Sequence, residues 1–496
     1  MAPFNMERRP TYRNLSPLDH RYWETNSALY ERLADYLSEE AATRYCARVE
    51  AALVRAHMQR EGVLTSEIES ALLSAAEQID PTDVAEEEQK TQHNIRALVN
   101  VYQKTLPESA RPYVHLGATS VDVLDTATSM RYRDVVRSVL VPLLRDVAGR
   151  LCELAEAYAD TVQIGRTHGQ FAVPITFGFA IGEYAARLSK SIVEIDRLAS
   201  ELRGKIAGAV GAYNALAIAT NNPVEFEKEV LGDLGLRPGD QSNQLVEPEY
   251  QLRLLLECNT AFGILANLAD DMRNLQRSEI SEVREAFDSS QVGSSTMPHK
   301  RNPWNWEHIK SLWKAFVPRV VTFYMDQISE HQRDLTNSAS SRFVAEYFAG
   351  FAAAFNRAKV VLKRIEPDRE RMLDNIERAG DMCLAEPAYI LLSLAGMEDA
   401  HERVRVATLA AGDEQRKLVD VLRRDRVLWE SLEAAAAKRL QVEASEFFSD
   451  PKQYVGIAAE KARQSAATAR KRLGRLNGDG AADEWRGQSI EAREES

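Results

Sequence analysis

IGEYAARLSKSIVEIDRLASEL (181–202) decides the fold class. Its apolar positions Ile181, Tyr184, Leu188, Ile192, Ile195, Leu198 and Leu202 recur at steps of three and four. That period places them on one face of a helix. LLLECNTAFGILANLADDMRNL (254–275) repeats the pattern through Leu254, Cys258, Ala261, Leu265, Leu268, Met272 and Leu275. Helices this long carry an apolar stripe that only partner helices can cover. Two further helical stretches, roughly 303–328 and 339–365, supply such partners. A central bundle of long helices over 116–365 is therefore expected, flanked by shorter helices. The expected division is an N-terminal helical domain (1–115), the bundle (116–365), a C-terminal helical domain (366–474) and a polar tail (475–496). The tail, RLNGDGAADEWRGQSIEAREES, has one aromatic residue and is expected to be disordered.

Composition agrees with an all-α chain. Glycine (24) and proline (17) are scarce among 496 residues, so turns are few. Hydrophobic residues at 45% and charged residues at 27% exclude a disordered or collagen-like chain. Lysine plus arginine total 62 against 74 acidic residues, a net charge of −12. A nucleic-acid partner is not expected, because counterion-release binding needs a broad basic surface. A local basic pocket for one small anion is still compatible. Cys46, Cys152, Cys258 and Cys383 lie far apart with no CxxC pair. They suggest a reducing cytoplasm and neither a disulfide framework nor a zinc site. MAPFNMERRP (1–10) is followed by no apolar run, and the apolar stretch from Phe171 to Ile181 is too short for a bilayer. No membrane partner is expected.

Three segments carry chemistry. In QVGSSTMPHKRNPWNWEH (291–308), a loop of small residues leads to Lys300, Asn302 and Pro303. Asparagine caps helices and proline suits the first helical position, so a helix should start at Pro303. Lys300, Asn302 and free N–H groups there could hold one anion. The ordinary alternative is a solvated loop with a capped helix. IGRTHGQFAVPITFG (164–178) presents His168 ahead of a helix. A lone histidine in such a place is often structural. HLGATSVDVLDT (115–126) places Thr119, Ser120 and Asp122 as a capping cluster, where hydroxyls and N–H groups suit a carboxylate or phosphate.

GSSTMPHKRN resembles the signature of the fumarase/aspartase superfamily, whose members release fumarate from a succinyl group by β-elimination. The resemblance implies the all-α, three-domain fold of that superfamily. It implies Ser294 as general base, with Lys300 and Asn302 on a succinyl carboxylate. RTHGQ resembles the segment carrying the general acid in adenylosuccinate lyases, which makes His168 the acid that protonates the leaving nitrogen. Histidine suits that role because its pKa lies near working pH. HLGATS then implies substrate contacts from His115, Thr119 and Ser120.

Further matches favour the adenylosuccinate lyase branch. SPLDHRY (16–22) implies Arg21 and Tyr22 on the nucleotide phosphate. TQHNIRALV (91–99) implies His93 and Asn94 on the substrate, and SNQLVEPEY (242–250) implies Gln244. QRDLTNSASSR (332–342) implies Arg333, Ser338 and Arg342 at the phosphate end, where a planar guanidinium matches phosphate oxygens. KIAGAVGAYNAL (205–216) also fits, with glycines allowing close approach. The implied reactions split adenylosuccinate into AMP and fumarate, and succinylaminoimidazole carboxamide ribotide likewise, with no cofactor or metal. The family forms homotetramers whose sites draw segments from three subunits, so a monomer should be inactive. Some details depart from the family. His93 is flanked as Gln-His-Asn, His308 follows Glu307 where relatives commonly carry asparagine, and WNWEHIKSLWKAF (304–316) carries tryptophans at unusual places. The competing expectations are another superfamily lyase or cycloisomerase acting on a non-nucleotide compound, or a catalytically silent helical protein.

Overall fold

The computed structural model describes residues 11–286, 296–297, 299–334 and 336–477. Helices dominate, and their apolar stripes gather into three buried clusters. The largest fills the expected bundle, and its walls are helices Phe177–Ser200, Glu249–Leu275 and Val344–Lys363 together with Val141–Ala157. Every apolar position of the 181–202 stripe named above is buried in it. An aromatic column joins two of these walls: Phe262 meets Phe351 edge-on at 5.5 Å, and Phe351 meets Phe355 at 4.6 Å. A second cluster lies among residues 45–130 and 206–236, and a third among 384–448. The helix Ala458–Gly474 returns to the bundle, burying Ala466, Ala469 and Leu473 there.

A continuous helical run extends from Ser120 to Ala157. It is α-helical to Val135, π-helical over Val136–Leu140 and α-helical again from Val141. Pro142 explains the wide turn. It has no N–H to give to Ser138, and a π turn relieves the ring's clash with the preceding turn. Arg32 donates to the Ser138 carbonyl at 2.5 Å instead. At about 1.5 Å per residue, the run measures about 55 Å.

At the far end of this run the chain folds into a hairpin, Val162–Thr167 against Gln170–Thr176, before entering the Phe177 helix. The sequence pattern placed RTHGQ before a helix but gave no sign of strands. The hairpin sits tightly on the helix end: a Cβ on Gly178 would lie 2.3 Å from the Ala155 carbonyl and 2.6 Å from the Ala159 nitrogen. Backbone cannot yield as a flexible side chain can, so only glycine fits there. Two further sheets have two strands each, Arg203–Gly204 with Arg237–Pro238 and Val283–Glu285 with Ile365–Pro367.

Two expectations about the 303–328 stretch need correction. The stretch is not one helix. It is Trp304–Phe316, a 3-10 turn through Pro318, and Val320–Met325. Pro318 lacks the N–H that would continue the first segment. The helix starts at Trp304, with Pro303 at the cap position and no side-chain cap of its own. The Glu285 carboxylate receives the N–H groups of Asn305 (3.4 Å) and Trp306 (3.3 Å) instead. Glu249–Leu275 is long and apolar enough by composition to cross a membrane, but 61% of its most apolar window is buried, as in a core helix. Of the tail, Arg475–Asn477 forms a 3-10 turn, and residues 478–496 lie outside the described residues.

Candidate active site

Thr119 and Asp122 begin the long run with a reciprocal cap: Thr119 N–H donates to Asp122 Oδ2 at 2.8 Å. Asp122 is fully buried and does more than cap. It accepts from Gly208 N–H at 3.0 Å, Ala207 N–H at 3.1 Å and the Lys205 ammonium. Lys205, 1% exposed, also donates to the Gly208 carbonyl at 3.0 Å. Glu227 receives Ile206 N–H (2.8 Å) and the Tyr213 hydroxyl (2.5 Å). Thus the 205–216 segment is fastened to the start of the run through buried, paired charges. A Cβ on Gly117 would meet the Leu216 side chain at 2.6 Å, and Gly117 holds a φ of +78°, so this close approach needs glycine.

His115 is held in the same region. The Glu50 carboxylate takes its N–H at 2.9 Å and its Nδ1 at 2.7 Å. The two contacts fix a φ of +60°, uncommon for a residue with a Cβ and sustained only where neighbours over-determine it. Burial alone would lower the His115 pKa, but the Glu50 hydrogen bond and charge outweigh it, and the pKa is raised above the ordinary imidazole value. The raised pKa gives a signed prediction. Charged His115 stabilises the fold fully below the unfolded imidazole pKa, and this contribution is lost as pH rises through the higher folded value. Thermal unfolding of wild type and His115→Gln across pH 5–9 should therefore show their gap narrowing as pH rises. A gap that widens would contradict the pairing.

His93 caps its own helix, accepting Arg96 N–H on Nδ1 at 3.2 Å. Its Nε2 lies 3.4 Å from Ser120 Oγ, so His93 and Ser120 meet, while Asn94 turns its side chain to Ile95 N–H. Gln244 and Arg333 belong to the same end. Val246 N–H donates to Asp125 Oδ2 at 2.9 Å, Gln244 N–H reaches the Gln332 carbonyl at 3.4 Å, and Arg333 bears electrostatically on Asp125. Burial pushes the Asp125 carboxyl up to about 6 despite these partners. A cleft of about 690 Å³ opens beside Gln244 between Val210, Ser242, Val246 and Gln332.

His168 is elsewhere. It sits at the tip of the hairpin, exposed, with φ +54° followed by Gly169 at +75°. Glu282, fully buried, roots the hairpin by receiving Gln163 (2.6 Å), Arg166 (2.7 Å) and Asn375 (2.7 Å). A six-residue strand reaches about 20 Å. It cannot carry His168 back along about 55 Å of helix to Ser120.

The remaining residues lie on other segments. Lys300 is exposed ahead of the Trp304 helix, and Asn302 is half-buried beside it. Tyr22 lies against the same helix, its hydroxyl 3.0 Å from His308 Nε2, with Arg21 exposed next to it. Ser338 and Arg342 are exposed in and beside the 3-10 turn Ser340–Phe343. Ser294 lies outside the described residues. Among the described residues, no group of three or more His, Cys, Asp or Glu could hold a metal ion.

Sequence reasoning missed Glu50, Asp125, Glu282, Glu285 and Arg357. Glu50 had a signal, a lone carboxylate within the apolar run Val49–Leu53 of a helix. The others are placed by contacts between residues far apart in sequence, and no local pattern marks them.

Comparison with known proteins gives a consistent set. A family model described as Lyase matches residues 20–315, and one described as Adenylosuccinate lyase C-terminal matches 329–443. An adenylosuccinate lyase of Pyrococcus abyssi is 33% identical over 450 residues, covering 90% of this chain and 95% of its own. That of Archaeoglobus fulgidus is 31% identical over 450 residues, covering 90% and 96%. Among solved structures, the 3-carboxy-cis,cis-muconate lactonizing enzyme of Pseudomonas putida aligns with a TM-score of 0.73 at 26% identity, over 90% of this chain and 97% of its own. A fumarate lyase of Mesorhizobium sp. BNC1 shares the fold with a TM-score of 0.74 at 22% identity, over 88% and 97%.

Proposed function

The chain belongs to the adenylosuccinate lyase family, and from that membership we propose that it splits adenylosuccinate into AMP and fumarate, and succinylaminoimidazole carboxamide ribotide into its carboxamide and fumarate. It is a carbon–nitrogen lyase of the fumarase/aspartase superfamily. The proton to be removed lies beside a carboxylate and is weakly acidic, so its loss creates a dianionic aci-carboxylate. Lys300 and Asn302 stabilise charge that appears only in the transition state, where such contacts act on rate. Ser294 takes the β-proton, and as a serine it needs activation by its surroundings. The C–N bond then breaks, its electrons go to nitrogen, and His168 supplies the proton that nitrogen gains. His93, Asn94, His115, Thr119, Ser120 and Gln244 orient the substrate. Arg21, Tyr22, Arg333, Ser338 and Arg342 hold its phosphate.

One observation carries the way the site is assembled. The segment with His93, His115 and Ser120 starts the long helical run, and the hairpin with His168 follows its other end. Residues that act on one substrate are thus separated by about 55 Å of helix within a chain. The proposed enzyme is a cytoplasmic homotetramer in which a neighbouring copy, running antiparallel, brings the hairpin of one chain to the His115 end of another. The exposure of His93, His168, Lys300 and Arg342 on the single chain fits sites that close only on assembly. The three buried clusters support three helical bodies, the second of which also takes in Val123–Met130 and Ile206–Leu236, while Leu18, Tyr30, Leu33 and the helix Ala458–Gly474 pack with the bundle.

The assay follows loss of succinyl-purine absorbance and release of fumarate from adenylosuccinate, with Ser294→Ala alongside. Turnover that collapses in the variant is the expected result. A well-folded tetramer that leaves adenylosuccinate untouched but eliminates from a non-nucleotide succinyl compound would overturn the substrate.

A further inference from the structure

Tyr22 and His308 are 286 positions apart, yet the phenol oxygen lies 3.0 Å from Nε2 and the ring centroids are 5.7 Å apart. The pair sits in a cationic corner. Arg21 adjoins Tyr22, and Arg357 reaches in from the Val344–Lys363 helix. Arg357 donates to Asn305 Oδ1 at 2.9 Å and lies over the Trp304 ring at 5.0 Å. Among the described residues it makes no ion pair. Glu285, the carboxylate on that side, is engaged by the Asn305 side chain at 2.7 Å. Glu307 precedes His308 on its own helix and is exposed. Burial, Arg357 and Arg21 together lower the His308 pKa.

A neutral imidazole has one N–H and one bare nitrogen, and a phenol has one proton to give. If Tyr22 donates to Nε2, its proton is spent inside the protein. If Nε2–H donates to the Tyr22 oxygen, the Tyr22 proton is free to point at an anion beside Arg21. We propose that His308 is a positioning residue that donates Nε2–H to Tyr22 and so aims the Tyr22 hydroxyl at the substrate's phosphate. The inference rests on the reading that Arg21 and Tyr22 hold that phosphate. The proton moves by rotation of the phenol O–H and choice of tautomer, so no bond to carbon or phosphorus changes.

The test compares wild type, Tyr22→Phe, His308→Leu, His308→Gln and Tyr22→Phe/His308→Leu as assembled enzymes. His308→Leu should raise KM for adenylosuccinate about tenfold, the scale of a hydrogen bond to a charged group, with kcat kept within about twofold. His308→Gln restores a donor and should recover most of the KM. The double variant should be no worse than Tyr22→Phe, because both lesions remove one interaction. Inhibition by inorganic phosphate should weaken in step with KM. An unchanged KM in His308→Leu would overturn the inference. So would a KM and kcat that fall together, or additive effects in the double variant. Absence of turnover by wild type would instead refute the proposed reaction, and with it the phosphate-holding reading on which the inference stands.

Discussion

His168→Ala is expected to lower kcat by about 10²–10⁴-fold, the usual worth of a positioned general acid, with KM within a few-fold of wild type. The hairpin aims this side chain rather than burying it. The Arg166–Glu282 ion pair and the Gln163–Glu282 bond root the strands. The turn through His168 and Gly169, both with positive φ, projects the ring from the tip. Nothing in the core depends on the imidazole, so the variant should fold and assemble as wild type does. Its lesion should appear in chemistry alone, because an anionic nitrogen is a poor leaving group without a proton. Steady-state kinetics across pH check this. The variant should also lose the limb of the kcat profile that reports the acid. A variant that retains wild-type kcat would remove His168 from the mechanism.

Asp122→Ala should cost stability on a scale few substitutions reach. Asp122 is fully buried and is the counter-ion of Lys205, itself 1% exposed. Removing the carboxylate leaves a buried ammonium without its opposite charge. It also strands the N–H groups of Thr119, Ala207 and Gly208. Breaking a buried pair from one side costs about 3–5 kcal/mol, whereas replacing both partners by apolar groups costs far less. Asp122→Ala should therefore unfold at markedly lower denaturant concentration, and Asp122→Leu/Lys205→Met should recover part of the loss. Activity should fall with it, because the same carboxylate holds the backbone that presents Thr119 and Ser120. Equilibrium unfolding monitored by circular dichroism gives the comparison. A variant within about 0.5 kcal/mol of wild type, the ordinary reach of surface substitutions, would show that the pair is not the anchor described.

The helical bundle was legible because its cause is local. The stripe from Ile181 to Leu202 needs no knowledge of its partners to be seen. The motifs were legible too, but as segments. What the sequence could not show is where long-range contacts place them. Nothing near RTHGQ reveals that Glu282 roots it as a hairpin. Nothing near Asn302 reveals that Glu285 caps the following helix in its stead, one residue later than expected. Nor does His308 announce that it faces Tyr22. The separation of His115 from His168 was implied by family resemblance. The length of the run between them gives it a physical reason.

The most direct test of the account is to mix two defective enzymes. His115→Ala and His168→Ala are each expected to form tetramers of low activity. After subunit exchange at equal amounts, sites that take His115 from one copy and His168 from another will sometimes receive both intact. Random assembly predicts about one quarter of wild-type activity in the mixture, set by the symmetry of shared sites. Activity that stays at the level of the two parents, with exchange verified by mass, would contradict a site built across copies.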